Sequence, residues 1–271
     1  MDGSIGHDRG GVITRFIEAC AADDRIVAAF VAGSHATGTA DAYSDLDLGV
    51  ITTDEAFADV IADLGALISR LGEPLFIDHF ARDWNVFFIL ADGTEGEIFV
   101  GHEGALDEID VGPFEPLMDV RGILSGAAFP FSPPDAEAQR EHLRQSVNWF
   151  WHELSHFITA LGRDDLWWAF GQIEALRGHC VNLMRIHHGG EAQDEPYEKL
   201  AKAISVSELA PLRTTFRPME RQGMLEAARE IVRFFREHAP RVAEAHGAAY
   251  PAALAHLMSE RLDGLDAVTK R

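Results

Sequence analysis

The feature that most constrains this chain is a change of hydrophobic period near its middle. Up to the Pro-dense segment Phe129-Pro130-Phe131-Ser132-Pro133-Pro134, short β-rich runs alternate with helical patterns; beyond it no strand pattern occurs. With 271 residues, at roughly 100–200 residues per domain, the break divides the chain into residues 1–130 and 131–271. The expected layout is a mixed α/β domain followed by a helical bundle.

In the first half, Ile13, Phe16, Ile17 and Cys20 recur at helical spacing over residues 11–24. A β-rich run at 26–32 ends in a Gly-Ser turn, and 46–52 reads as a second strand. Asp54 is expected to cap a helix running to about Leu71, closed by Gly72 and Pro74. Three further strands are expected at 75–80, 86–90 and 97–100, the last two flanking an Asp92-Gly93 hairpin turn. In the second half the pattern predicts helices over 135–161 and 164–188, with aspartates as starts and Gly162 and Gly189 as stops, and over 220–238 and 242–262.

Composition narrows the function classes. An apolar fraction of 47% supports a core in each half, while no apolar run approaches the length of a membrane span. The first residues carry neither a basic nor an apolar leader region, so secretion is not expected. Cys20 and Cys180 lie in helix-like stretches with no pairing pattern, which fits a reduced cytoplasm. A net charge of −21 repels phosphate backbones, disfavouring nucleic acid, and attracts a small cationic substrate.

The chemistry is concentrated between Gly33 and Leu48. Asp45 and Asp47, two residues apart at the start of a strand, project from one face. Hard oxygen donors so placed suit Mg²⁺, which takes one or two carboxylates plus substrate phosphates. Gly33-Ser34 directly follows the preceding strand, where backbone, hydroxyl and free N–H groups can hold phosphate oxygens. Phosphates at one end and metal carboxylates at the other describe a phosphoryl-transfer site.

The segment Gly33-Ser34, Ala36, Gly38, Ala40 and Ser44-Asp45-x-Asp47-Leu48 resembles the nucleotidyltransferases related to DNA polymerase β. The resemblance implies an α+β fold, with a mixed β-sheet and flanking helices in residues 1–130 and an all-α helical domain in 131–271. It also implies a third carboxylate from a later strand, joining the metal site and serving as general base. Glu97 in Gly96-Glu97-Ile98-Phe99-Val100 is the candidate, ahead of Glu95 nearer the turn. Chain length and Asn148-Trp149-Phe150-Trp151 followed by Arg163-Asp164-Asp165-Leu166 and Ala169 are similar to streptomycin-type aminoglycoside adenylyltransferases. That likeness implies AMP transfer from ATP, with Mg²⁺, to a hydroxyl held between the two halves. Asp164 or Asp165, with Trp167 and Trp168, would then hold a cationic sugar-like acceptor; a lincosamide, a metabolite or a protein acceptor stays open.

A second motif competes. His152-Glu153-Leu154-Ser155-His156 is a complete H-E-x-x-H in an expected helix, the pattern of a zinc peptidase, with Glu174 spaced as a third ligand. With 13 histidines in the chain the pattern arises readily by chance, and it leaves the Gly-Ser and Asp-x-Asp segment unexplained. His152 and His156 are therefore expected to be ordinary helix-surface or satisfied residues. Arg177, Arg185, Lys199 and Lys202 are candidate phosphate partners among which the sequence does not choose.

Overall fold

A computed structural model describes residues 9–79, 84–131, 135–193 and 195–265. The chain divides into two compact units, Met1–Ser132 and Pro133–Arg271. The first is an α+β unit, and the regular elements of the second are helices alone among its described residues.

The first unit is built on six strands: β1 (Ile26–Ala32), β2 (Leu46–Thr52), β3 (Pro74–Asp78), β4 (Asn85–Leu90), β5 (Glu95–His102) and β6 (Phe114–Asp119). They form one mixed sheet in the order β3-β4-β5-β2-β1-β6. The β2–β5 pair is parallel, with Asp47 opposite Glu97 and Leu48 opposite Ile98, while the flanking pairs are antiparallel. Because strand side chains alternate, Leu46, Leu48, Val50, Ile98 and Val100 enter one apolar core. That core is covered by α1 (Arg9–Ala21), α3 (Phe57–Ala62) and α4 (Leu64–Leu71). Asp47, Gly49, Ile51 and Glu97 fall on the opposite face, part of which is closed by Phe30, Ile109, Leu124 and Phe129. The one-turn α2 (Gly33–Ala36) leaves the end of β1.

Two expectations for this unit need correction. Asp54 is no helix cap: it opens a 3-10 turn, and its carboxylate accepts the Gly104 N–H at 2.8 Å and faces His102 Nδ1 at 2.8 Å. The expected single helix is broken at Asp63 into α3 and α4. β6 was not expected, because Phe-Glu-Pro-Leu-Met-Asp has no clean alternation and lies in an acidic stretch. It is an edge strand on β1, where Pro116 can forgo its missing donor. Phe80, the expected end of the third strand, lies outside the described residues.

The second unit holds α5 (Ala136–Gly162), α6 (Leu166–His187), α7 (Leu200–Ala203), α8 (Val206–Arg213), α9 (Arg221–Ala245) and α10 (Ala252–Asp263). Asp135 caps α5, accepting the N–H groups of Glu137 at 2.8 Å and Ala138 at 3.1 Å. The core centres on Phe150, Trp151, Phe157 and Phe235, with the Phe150 and Phe235 rings stacked at 3.6 Å. The start of α6 shifts from the expected Asp164 to Asp165, since Asp164 sits at φ +60° outside the helix. The expected break between 238 and 242 is absent: α9 runs through Pro240, which costs the helix a donor without ending it. The short α7 and α8 were not expected at all. No described helix is long and apolar enough to cross a membrane.

Candidate active site

The site is assembled where β1 ends and β2 begins. Gly33 turns the chain out of β1 at φ +59°, and a Cβ there would stand 1.8 Å from Asp47 Oδ2. Only glycine meets both demands, the left-handed backbone and the contact with a carboxylate. The Gly-Ser turn and the second aspartate, far apart in sequence, are therefore packed against each other. Beside them the Ser34 Oγ is buried without a hydrogen-bond partner, as is His35 Nε2.

The connecting loop is held by its own polar side chains. Asp41 Oδ1 accepts the Tyr43 N–H at 2.8 Å, and the Asp41 N–H donates to Ser44 Oγ at 2.9 Å. From α1, Arg9 Nη2 donates to the Ala42 carbonyl at 3.0 Å. Arg9 is a residue that sequence reasoning passed over, since nothing local distinguishes it from a surface arginine. Burial and Arg9 hold the His35 imidazole below its usual range, against a smaller opposite pull from Asp45.

Across the parallel pair, Asp47 and Glu97 are direct partners and project from the same face. Glu97 Oε2 accepts Asn85 Nδ2 at 2.9 Å, which fixes one of its oxygens. Asn85 was also missed, for a single polar residue at a strand end carries no sequence signal. Asp45 is exposed just ahead of β2, and Glu95 is exposed at the start of β5. Asp45 and Glu95 line a cavity of about 300 Å³ together with Arg9 and Ser44. Asp45, Asp47 and Glu97 do not stand as a three-ligand group in this structure, but Asp47 and Glu97 supply carboxylate oxygens, the donor type that suits a hard cation such as Mg²⁺. The turn at Gly33 and the unpartnered Ser34 hydroxyl suit the phosphate oxygens that accompany it.

The other sequence candidates separate. Asp165 is occupied as the α6 cap, accepting the Trp168 N–H at 3.0 Å, whereas Asp164 is exposed. Trp168 packs against the helical core, and Trp167 is 79% exposed. Arg177 is buried, ion-paired to Glu174, bonded to Thr215 Oγ1 at 2.9 Å and laid over the Phe216 ring at 4.0 Å. Arg185 is buried on the carbonyls of Pro196 and Glu198. Both arginines are thus structural, and Glu174 is taken up by Arg177 instead of joining the histidines. His152, Glu153 and His156 do come together, with ligand atoms all within 4.8 Å; among the described residues this is the one such three-ligand group.

Two family models match the chain. Residues 13–121 match the nucleotidyltransferase domain family. Residues 127–264, just over half of the chain, match the streptomycin adenylyltransferase family. Among solved structures the chain is similar to an aminoglycoside 6-adenyltransferase from Bacillus subtilis, at 14% identity and TM-score 0.46, covering 94% of this chain and 96% of that one. It is also similar to a nucleotidyltransferase-like protein from Exiguobacterium sibiricum 255-15, at 12% identity and TM-score 0.38, covering 85% of this chain and 75% of that one. No curated protein matches. With a nucleotidyltransferase domain ahead of its helical half, the chain is an enzyme of the nucleotidyltransferase class and belongs to the streptomycin adenylyltransferase family.

Proposed function

We propose that this enzyme transfers AMP from ATP, with Mg²⁺, to a hydroxyl of a small cationic acceptor in the cytoplasm, an aminoglycoside first among the candidates. The observation that carries this reading is the packing of Gly33 against Asp47, with Glu97 beside Asp47 on the neighbouring strand. Phosphate-binding turn and carboxylates then form one surface. The family match supports antibiotic nucleotidyl transfer, and the net charge of −21 supports a polycationic acceptor over nucleic acid or a membrane surface.

Asp45, Asp47 and Glu97 would hold Mg²⁺, which would neutralise charge on the nucleotide oxygens and on the pyrophosphate. The backbone at Gly33 and the Ser34 hydroxyl bind the terminal phosphates and orient the α-phosphorus. Glu97, with one oxygen fixed by Asn85, takes the acceptor hydroxyl proton on the other. The acceptor oxygen bonds to the α-phosphorus as the bond to the β-phosphate oxygen breaks and pyrophosphate leaves. Asp164 and Trp167, exposed on the helical unit, are the remaining candidates for holding a cationic sugar.

The test is pyrophosphate release from ATP and Mg²⁺ across aminoglycosides and lincosamides, with Asp47→Asn as the blank. Release with aminoglycosides that is absent in the blank is the expected result. Release only with lincosamides would replace the acceptor. ATP that neither binds nor reacts would overturn the reading.

A further inference from the structure

The phosphoryl-transfer reading leaves one constellation unused. His152, Glu153 and His156 lie on a single turn of α5, and each offers one ligand atom within 4.8 Å of the others. The two imidazoles are four residues apart and so share a helix face. Their rings lie 4.3 Å apart, and both present Nδ1 to the carboxylate between them. His152 Nδ1 stands 4.0 Å from Glu153 Oε1, and His156 Nδ1 stands 3.8 Å from Glu153 Oε2. Separate carboxylate oxygens thus address separate imidazoles around one point.

Neighbouring indoles restrain the rings. The Trp149 ring meets His152 edge-on at 4.8 Å, and Trp168 lies 5.7 Å from His156. Both histidines remain partly open, with half and two-fifths of their side chains accessible (50% and 41%).

We propose that His152, Glu153 and His156 form a binding site for one divalent ion of the zinc type, built on α5 alone and using none of the carboxylates of the transfer site. Two imidazoles with one carboxylate form a borderline donor set, which favours Zn²⁺ or Co²⁺ over Mg²⁺. At metal–ligand distances of about 2.0–2.2 Å, tetrahedral ligand atoms stand about 3.3 Å apart. Partly exposed side chains reach that spacing from the present one by small rotations about their χ angles. Three protein ligands leave a fourth position for water or an outside ligand. Here the carboxylate sits between the two imidazoles as a ligand. In a peptidase of this motif the glutamate must stand clear of the metal to act as base, so the site binds an ion without peptidase chemistry.

The test is a Co²⁺ titration of the full chain, stripped of metal with chelator and followed by its visible absorption, with Zn²⁺ as competitor. The wild type and the Asp45→Asn/Asp47→Asn variant are expected to develop one Co²⁺ band that Zn²⁺ abolishes. The His152→Ala/His156→Ala variant, its helix content checked by circular dichroism, is expected to lose the band. A band that survives in the histidine variant, disappears in the aspartate variant, or never develops would overturn the proposal. Pyrophosphate release by the His152→Ala/His156→Ala variant is expected to match the wild type, so failure here is distinct from failure of the transfer reading.

Discussion

On one face of the sheet, Leu46, Leu48 and Val50 of β2 join Ile98 and Val100 of β5 beneath α1, α3 and α4; on the other face the same strands present Asp47 and Glu97. Residues next to each other in sequence are thus divided between a dry core and an acidic surface by the two-residue period of a strand. The difference teaches that stability and chemistry are separable here one position at a time. The carboxylates can stay close despite their like charges because the apolar face and the strand pairing, not the carboxylates, hold the backbone in place.

Substitutions at neighbouring positions test that separation. Asp47→Asn is expected to lower transfer by about a thousandfold, several kcal/mol of lost charge stabilisation, while the melting temperature stays near wild type. Steady-state pyrophosphate release alongside calorimetry reads both, and a variant retaining a tenth of the turnover would remove Asp47 from the site. Leu48→Ala, one residue on, should reverse the pattern. It costs about 2–5 kcal/mol of stability in denaturant titration, with turnover of the folded fraction largely kept.

The comparison sharpens within the acidic face. Glu97→Gln is expected to reduce kcat by about a hundredfold with little change in ATP affinity, as for loss of a general base. Glu95→Gln, at the exposed strand start, should cost less than about tenfold by the same measure. The opposite order would transfer the role to Glu95. Gly33→Ala joins both faces of the comparison. It imposes about 1–2 kcal/mol of left-handed backbone strain and drives a methyl into Asp47, so stability and turnover should fall together.

The smallest effect concerns a carboxylate outside the site. The hydrogen bonds from His102 and the Gly104 N–H hold the Asp54 carboxyl below its usual range. A lowered carboxyl contributes stability above its unfolded value and loses it as pH falls through the folded one. Asp54→Asn should therefore lower the melting temperature at neutral pH, with the gap from wild type closing on acidification and transfer unaffected.

Much of this was legible in the chain because it is local. β1 and β2 fall at the residues their β-rich runs predicted, and Asp135 caps α5 as its position before an apolar-periodic run implied. What escaped is what depends on distant partners. β6 lacks alternation and exists because β1 has an open edge to pair with. Asp54 reads as a helix cap until His102 and Gly104 arrive from β5 and the turn after it. Arg177 and Arg185 look available in sequence, yet the helical core surrounds them.

The sequence by itself determined the two-part organisation and the spacing of Gly33-Ser34 and Asp45-x-Asp47. The expectation that Asp45 and Asp47 share one face followed from strand alternation, whereas Asp45 lies ahead of β2, exposed and lining a cavity with Glu95. Only the tertiary structure decided that Glu97 stands opposite Asp47, that Asn85 holds it, and that Gly33 lies against the Asp47 carboxylate. Strand register and turn packing are set by which apolar side chains share the core, and that choice involves residues tens of positions apart.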